Sequence, residues 1–376
     1  MAGNTMDKKQ QILRQLKESK GYLSGQQLSE ALGVSRTAVW KIIGRLKQEG
    51  YPIEAVTNKG YRLLSVDGRD LFNQEEVENR LRTRWAGHPL VYSEETGSTN
   101  NDIFAFSDQG FPQGTLALTG TQTAGKGRRG RLWISPPDVN IYMSILLKPA
   151  IKPETAPMLT LVMALAVYQA CDALYGKGTK ETGDGSLSPY SENSEKLRNS
   201  LKKETENRPL SPRFGIKWPN DIVVSTDGTS YKKICGILTE MRVEEKEIRD
   251  IVIGTGINVN QTEFPEEISE TAGSLALALG HAVNRAELTA EVWKYFEDDY
   301  ELFISAQSLE SLRAKYESAL VNRGRKVRVL DPQEPFEGTA MGITPGGELI
   351  VRPLDDSADR EVGSGEVSVR GVMGYV

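Results

Sequence analysis

Between Asp7 and Glu18 the apolar residues Ile12, Leu13 and Leu16 fall at helical spacing, which predicts an amphipathic helix. Ser24 followed three residues later by Gln27 has the form of a capping box, so a second helix starts there and turns Leu28, Ala31 and Leu32 inward. Gly33 supplies the turn that follows. Ser35 then caps a third helix, in which Val39, Ile42, Ile43 and Leu46 form one apolar stripe and Thr37, Lys41, Gly44 and Gln48 lie opposite, until Gly50 ends it. Ile53–Val56 and Tyr61–Leu64 flank Thr57-Asn58-Lys59-Gly60, the pattern of a hairpin with a basic tip. Three helices and such a hairpin make residues 1–66 a winged helix-turn-helix domain.

From 67 to 320 the pattern changes to β-branched runs interleaved with helical ones. Candidate strands are Leu90–Glu94, Thr115–Gln122, Asn140–Leu147, Phe214–Lys217, Ile222–Ser225, Ile234–Arg242 and Ile248–Asn258. Short polar turns at Asp227-Gly228 and Glu244-Glu245 predict mainly antiparallel pairing, and helices over about 155–175 and 287–320 would cover one face of the sheet. Within this region residues 176–212 are polar and rich in Gly, Ser, Glu and Lys, and they lack apolar periodicity, which predicts a disordered or mobile insertion. Residues 321–376 carry short strands with turns at Asp331-Pro332 and Pro345-Gly346-Gly347, which predicts a small β-barrel. The fold class is therefore α+β, with a mixed-sheet central domain and no internal repeat.

Composition narrows the function. With 376 residues and 38% apolar content the chain can build two or three cores. The longest apolar run, Met158 to Val167, is short of the roughly 18 residues of a membrane span, so no span is expected. Met1 to Gln10 lacks the apolar core of a signal peptide, and Cys171 and Cys235 are far apart, which together point to a reducing cytoplasm. His88 and His281 have no second His or Cys at ligand spacing, so a zinc site of His or Cys ligands is not expected. The net charge of -5 is unevenly spread: residues 1–65 hold 11 Lys and Arg against 5 Asp and Glu, so the head is basic and the body acidic. That asymmetry suits a head that meets a polyanion, and ordinary surface scatter would produce it as well.

The richest chemistry lies in Gly125-Lys126-Gly127-Arg128-Arg129-Gly130-Arg131, preceded by Gln122 and followed by Trp133. Glycines let a backbone close around a ligand, and interleaved cations neutralise phosphate and carboxylate. Gly120 to Lys126 imitates a P-loop, but Gly127 replaces the hydroxyl residue that would hold magnesium, and no helix follows, so a P-loop nucleotidase is disfavoured. Taken alone, the stretch also reads as a mobile basic loop.

Four further strings accompany it in order: Ser98-Thr99-Asn100, Lys217-Trp218-Pro219-Asn220-Asp221, Lys232-Lys233-Ile234-Cys235-Gly236-Ile237-Leu238, and Gly254-Thr255-Gly256-Ile257-Asn258. The ordered set, with the winged head, resembles the bifunctional biotin protein ligase and biotin operon repressor family over nearly the whole chain. The chain departs from the family at Lys126, where Arg is usual, and in the 176–212 insertion. The first change keeps a charge and loses a bidentate fork. The resemblance implies a catalytic domain like that of class II synthetases, an SH3-like C-terminal barrel, and ATP, biotin and magnesium as cofactors.

It further implies that Arg128 contacts the ligand carboxylate or α-phosphate and that Lys233 neutralises charge building there, with Lys126 and Gly127 completing a loop over biotin. Ser98, Thr99 and Asn100 would meet the ureido ring with Gln122 nearby, although the same string reads as a plain helix N-cap. Asn220 and Asp221 would orient phosphates, or simply form a turn after Pro219. Arg131, Trp133 and Asn258 would complete the nucleotide site, and Trp133 reads equally well as core. Activation of a carboxylate as an adenylate needs two anions held in line and no enzyme nucleophile.

The partners implied are a biotin carboxyl carrier protein, a second copy of the chain when adenylate is bound, and operator DNA. Ser35, Arg36, Thr37, Lys41 and Arg45 of the third helix and Lys59 of the wing are the candidate DNA contacts. A lipoate-type acyl ligase and a ligand-sensing repressor without catalysis are the competing functions.

Overall fold

The computed structural model describes residues 8–66, 69–176, 211–331, 333–355, 357–364, 368–371 and 375–376. The 176–212 insertion, apart from its first and last residues, lies outside the described residues, as does Pro332.

The head forms as its pattern predicts. Helices α1 (Lys8–Glu18), α2 (Gly25–Leu32) and α3 (Arg36–Gln48) precede strands β1 (Ile53–Val56) and β2 (Gly60–Leu63), which pair antiparallel. The Ser24 hydroxyl accepts from the Gln27 N–H while Gln27 answers to the Ser24 N–H, and Gly33 takes the left-handed conformation at φ 63°. Ile12, Leu13, Leu28, Val39 and Leu46 meet in one buried cluster. Ala31 is a correction: it is exposed, because the short α2 turns only Leu28 and Leu32 to that cluster.

The body is built on a seven-stranded sheet in the order β3-β4-β5-β9-β8-β7-β6. Its strands are β3 (Leu90–Thr96), β4 (Leu116–Gln122), β5 (Ile141–Leu147), β6 (Arg213–Lys217), β7 (Asp221–Ser225), β8 (Lys232–Glu244) and β9 (Glu247–Ile257). A short helix, α4 (Gln74–Glu78), precedes β3. All neighbours are antiparallel except β3 and β4, which are parallel and joined through helix α5 (Thr99–Asp108). The period of two along each strand divides the faces. Leu116, Leu118, Ile145, Leu147, Ile251 and Ile253 enter the large core beneath helix α6 (Met158–Tyr175) and the helix Arg285–Ala306, whereas Ala117, Leu146 and Val252 pack against Ile103 of α5. The segment Pro153–Tyr175 is long and apolar enough, by length and composition only, to cross a membrane. More than half of it is buried in this core.

Two boundaries differ from those the pattern predicts. The long helix expected over 287–320 is two, Arg285–Ala306 and Glu310–Ala319, because Gln307 turns left-handed at φ 49°. The tight turn between β8 and β9 falls at Glu245-Lys246, with φ 50° and 73°, one residue beyond Glu244-Glu245. Residues 326–371 add a five-stranded antiparallel sheet of β10 (Lys326–Leu330), β11 (Phe336–Ile343), β12 (Leu349–Pro353), β13 (Arg360–Val362) and β14 (Ser368–Gly371), in the order β13-β12-β11-β10-β14.

Head and body are fastened at the chain segment between them. Leu71 packs in the head cluster and Phe72 in the body core, while Asp70 pairs with the buried Arg285 at 2.6 Å. Glu76, buried on the body side, accepts from Lys17 at 2.8 Å and from the Tyr51 hydroxyl at 2.9 Å.

Candidate active site

A cavity of about 980 Å³ opens on the face of the sheet that α5 only partly covers, and every cavity residue expected from the sequence lines it. Its floor is made by glycines. Gly236 on β8 and Gly256 on β9 are register partners, and the Trp133 ring lies on both: a Cβ at Gly256 would stand 2.5 Å from Trp133 Nε1, and one at Gly236 2.8 Å from its Cζ3. At Gly254 a Cβ would meet Asn100 Oδ1 at 2.2 Å. The glycine-bearing strings are therefore close-approach positions. Trp133 is partly buried, and its indole N–H has no partner among the described residues.

The basic loop folds over this floor as a small hairpin. Gly127 N–H donates to Arg131 C=O at 2.7 Å, Lys126 bridges to Leu132, and Trp133 N–H donates to Gly125 C=O at 2.9 Å. Only a single 3-10 turn, Arg128–Gly130, occurs in it. Arg128 reaches inward, donating to Asn220 Oδ1 at 3.0 Å and to the Ser364 carbonyl, whereas Lys126 donates to Asn101 at 2.8 Å and Arg131 is exposed.

Arg128 meets the β6–β7 turn at the charged end of the cavity. There Asp221 holds Lys233 at 2.6 Å and accepts from the Tyr375 hydroxyl at 2.6 Å. A bulge in β8, where the register with β7 shifts at Ile222/Val223, places Lys233 on this face. Burial pushes the Asp221 carboxyl up, but Lys233, Tyr375 and Lys217 more than offset it and hold the group below the usual carboxylate range. Lys217 is buried over the Tyr375 ring, 3.3 Å from its centroid, and burial brings its ammonium down to about 8. Burial likewise lowers the Arg128 guanidinium.

The other end is polar and nearly neutral. Ser98 is the N-cap of α5 but makes no side-chain capping bond, so the plain-cap reading of its hydroxyl fails. Thr99 N–H donates to Gln122 Oε1 at 3.0 Å, and the Thr99 hydroxyl lies 2.6 Å from that of Ser144. Asn258 has a structural task, donating to the Gly273 carbonyl at 3.0 Å.

Comparison with known proteins identifies the arrangement. Residues 92–258 match the biotin/lipoate A/B protein ligase family, residues 8–62 an HTH domain, and residues 324–370 the biotin protein ligase C terminal domain. The bifunctional ligase/repressor BirA of Bacillus subtilis is 34% identical over 91% of this chain and 94% of its own length. The chain belongs to the bifunctional biotin ligase/repressor family. BirA of Escherichia coli is 25% identical over 92% of both chains. Among solved structures, the biotin protein ligase of Aquifex aeolicus in complex with biotin and ATP superposes with a TM-score of 0.56 at 26% identity, covering 75% of this chain and 98% of that one.

Within this ligase/repressor fold the DNA-binding candidates sit apart from the cavity, on the head. Arg36, Thr37, Lys41 and Arg45 are exposed along α3 and Lys59 is exposed at the wing tip. Ser35 is the α3 N-cap, its hydroxyl accepting from Ala38 N–H at 3.1 Å. Sequence reasoning missed Trp40, 66% exposed on the same helix, although its place one residue from Lys41 and outside the apolar stripe was a usable signal. It also missed Tyr375, Ser144 and Glu240, none of which stands in a recognisable string.

Proposed function

We propose that this chain joins the biotin carboxylate to the α-phosphate of ATP with loss of pyrophosphate, and passes the biotinyl group to a lysine ε-amine of a biotin carboxyl carrier protein with loss of AMP. The carrying observation is the convergence of Arg128, Asn220, Asp221 and Lys233 at one end of a cavity whose other end is neutral and polar. Lys233 and Arg128 neutralise the oxygens between which charge moves, and Trp133 flanks the ligand. Ser98, Thr99, Asn100 and Gln122 take the ureido end. Among the described residues neither a histidine nor a cysteine lines the cavity, and a reaction made by alignment and charge needs no covalent enzyme intermediate. Among the described residues no three His, Cys, Asp or Glu side chains gather as an ion cage. Asp221 and Asn220 are the oxygen donors that the protein would offer to magnesium brought in on the ATP phosphates.

The head, residues 1–66, binds operator DNA, and the biotinyl adenylate made in residues 67–320 promotes a homodimer that brings two heads onto a symmetric site. Residues 321–376 close the charged end through Ser364 and Tyr375. Two separate, buried, unpaired cysteines agree with a cytoplasmic protein. Transfer of labelled biotin to a carrier domain, dependent on ATP and magnesium, tests the reading. A folded chain that transfers lipoate and not biotin, or neither, would reject it.

A further inference from the structure

Five side chains form one chain of hydrogen bonds running from the half-buried Glu240 of β8 into the neutral end of the cavity. Asn100 Nδ2 lies 2.6 Å from Glu240 Oε2, Ser144 Oγ lies 2.6 Å from Asn100 Oδ1, Thr99 Oγ1 lies 2.6 Å from Ser144 Oγ, and Thr99 contacts Gln122. Thr99, Asn100 and Ser144 are buried.

The direction of every bond in this chain follows from its outer end. An ionised carboxylate only accepts, so Asn100 must present its amide hydrogens to Glu240 and its oxygen to Ser144. Ser144 then gives its single proton to Asn100 and can only accept from Thr99. If Thr99 gave its proton instead to Gln122 Oε1, which is farther away at 3.2 Å, two oxygens 2.6 Å apart would face each other without a hydrogen between them. Thr99 therefore donates to Ser144, which leaves its hydroxyl oxygen an acceptor in a residue that lines the cavity. Gln122 is oriented in the same way from the other side. Its oxygen accepts from Thr99 N–H, and its Nε2 donates to Ser135, whose own proton goes to Trp133 C=O. Nε2 keeps a second hydrogen, and Gln122, like Thr99, lines the cavity.

We propose that Glu240 is a positioning residue that, through Asn100 and Ser144, fixes the Thr99 hydroxyl as an acceptor beside the Gln122 donor, making this end of the cavity selective for a ring that offers an N–H next to a carbonyl. The inference rests on the ligase reading for the identity of the ring as the ureido ring of biotin, and it adds the residue that enforces the preference without touching the ligand. With Glu240→Gln the outer residue offers hydrogens as well as an oxygen. Asn100 can then turn over, Ser144 can donate toward Thr99, and Thr99 can present its proton to the cavity.

The experiment compares the binding of biotin with that of its cyclic carbamate analogues, in which each ureido N–H in turn is replaced by oxygen, measured calorimetrically on the full chain. Wild type should prefer biotin to one of these analogues by about tenfold or more, the effect of leaving one buried polar group unmet. Glu240→Gln should bring that ratio toward one, with the biotin KM rising much more than kcat falls. Ser144→Ala, which cuts the chain at its middle, should lower the ratio in the same way, and it carries the test if Glu240→Gln does not fold. Equal weakening of both ligands, or an unchanged ratio in both variants, would overturn the inference alone. Failure of wild type to bind biotin would overturn the ligase reading and this inference with it.

Discussion

In the head, the cations offered to an anion stand on the outside. Arg36, Lys41 and Arg45 project from a helix whose opposite stripe is core, and among the described residues none of them makes an ion pair. In the body the corresponding groups are turned inward and already engaged: Lys233 with Asp221, Arg128 with Asn220, and Lys217 over Tyr375. Exposed cations keep their hydration and act at a distance, so their effect is broad and falls with salt. Groups that are partly desolvated and held by neighbours lose that reach and gain fixed geometry, which a reaction needs and a searching DNA contact does not. Under the proposed function, the contrast teaches that the same residue types would serve recognition in one domain and chemistry in the other, according to burial.

The sharpest break in that comparison is expected at Lys233. Lys233→Ala should slow single-turnover adenylate formation by about 10²–10³-fold, the usual loss on removing one aligned charge-stabilising group, while biotin binding changes far less. An unchanged rate would place the chemistry elsewhere. Next in size is Arg128→Gly, which removes the link from the loop to Asn220 and the Ser364 carbonyl. Released adenylate and biotinylation of bystander lysines should rise by about tenfold or more, as befits the loss of charge-assisted bonds. Wild-type levels of off-target labelling would show that the loop is not the gate.

On the head the expected effects are smaller and of another kind. Lys41→Ala should weaken specific operator binding by roughly 5- to 100-fold, the worth of one base contact, with adenylate synthesis unaffected. Lys59→Ala should lower the slope of log affinity against log salt by about one and change sequence preference little. Gel-shift titrations at several salt concentrations separate the two, and equal slopes for all three proteins would contradict the assignment.

The smallest effect is one of pH and sharpens the burial argument. Lys217, with its folded value lowered by burial to about 8, is charged in the fold only below that pH. Between about pH 8 and the ordinary lysine value near 10.4 the unfolded chain binds a proton that the folded chain does not. Stability contributed by this group therefore rises with pH across that window, and it is lowest below pH 8, where the charge is buried. ATP affinity should move the other way, falling as the charge is lost. Lys217→Met should remove this group's contribution to both slopes in denaturation and binding series run from pH 7 to 10. A binding slope retained by the variant would exclude Lys217 as its source.

Much of this molecule was readable before any fold was known, for physical reasons that are local. The capping box at Ser24 and Gln27, the stripe of Val39, Ile43 and Leu46, and the alternation in β4, β5 and β9 express periods of 3.6 and 2 that the backbone imposes on any sequence. The glycine and cation strings announced ligand chemistry because their residue types have few other uses together. What the sequence could not determine was which group stands against which. The orientation of Lys233 depends on a bulge, and the distance from Trp133 to Gly256 on the register of two strands. Asp221 meets Tyr375 across 154 residues of chain, and Asn100 meets Glu240 across 140. Ala31 and the break at Gln307 failed for the same reason, since burial and helix ends there are set by what packs against them. The sequence by itself determined the elements, the domain order and the kind of chemistry. The tertiary structure decided the direction of each hydrogen bond and the burial of each charge, because both are properties of contacts between residues distant along the chain.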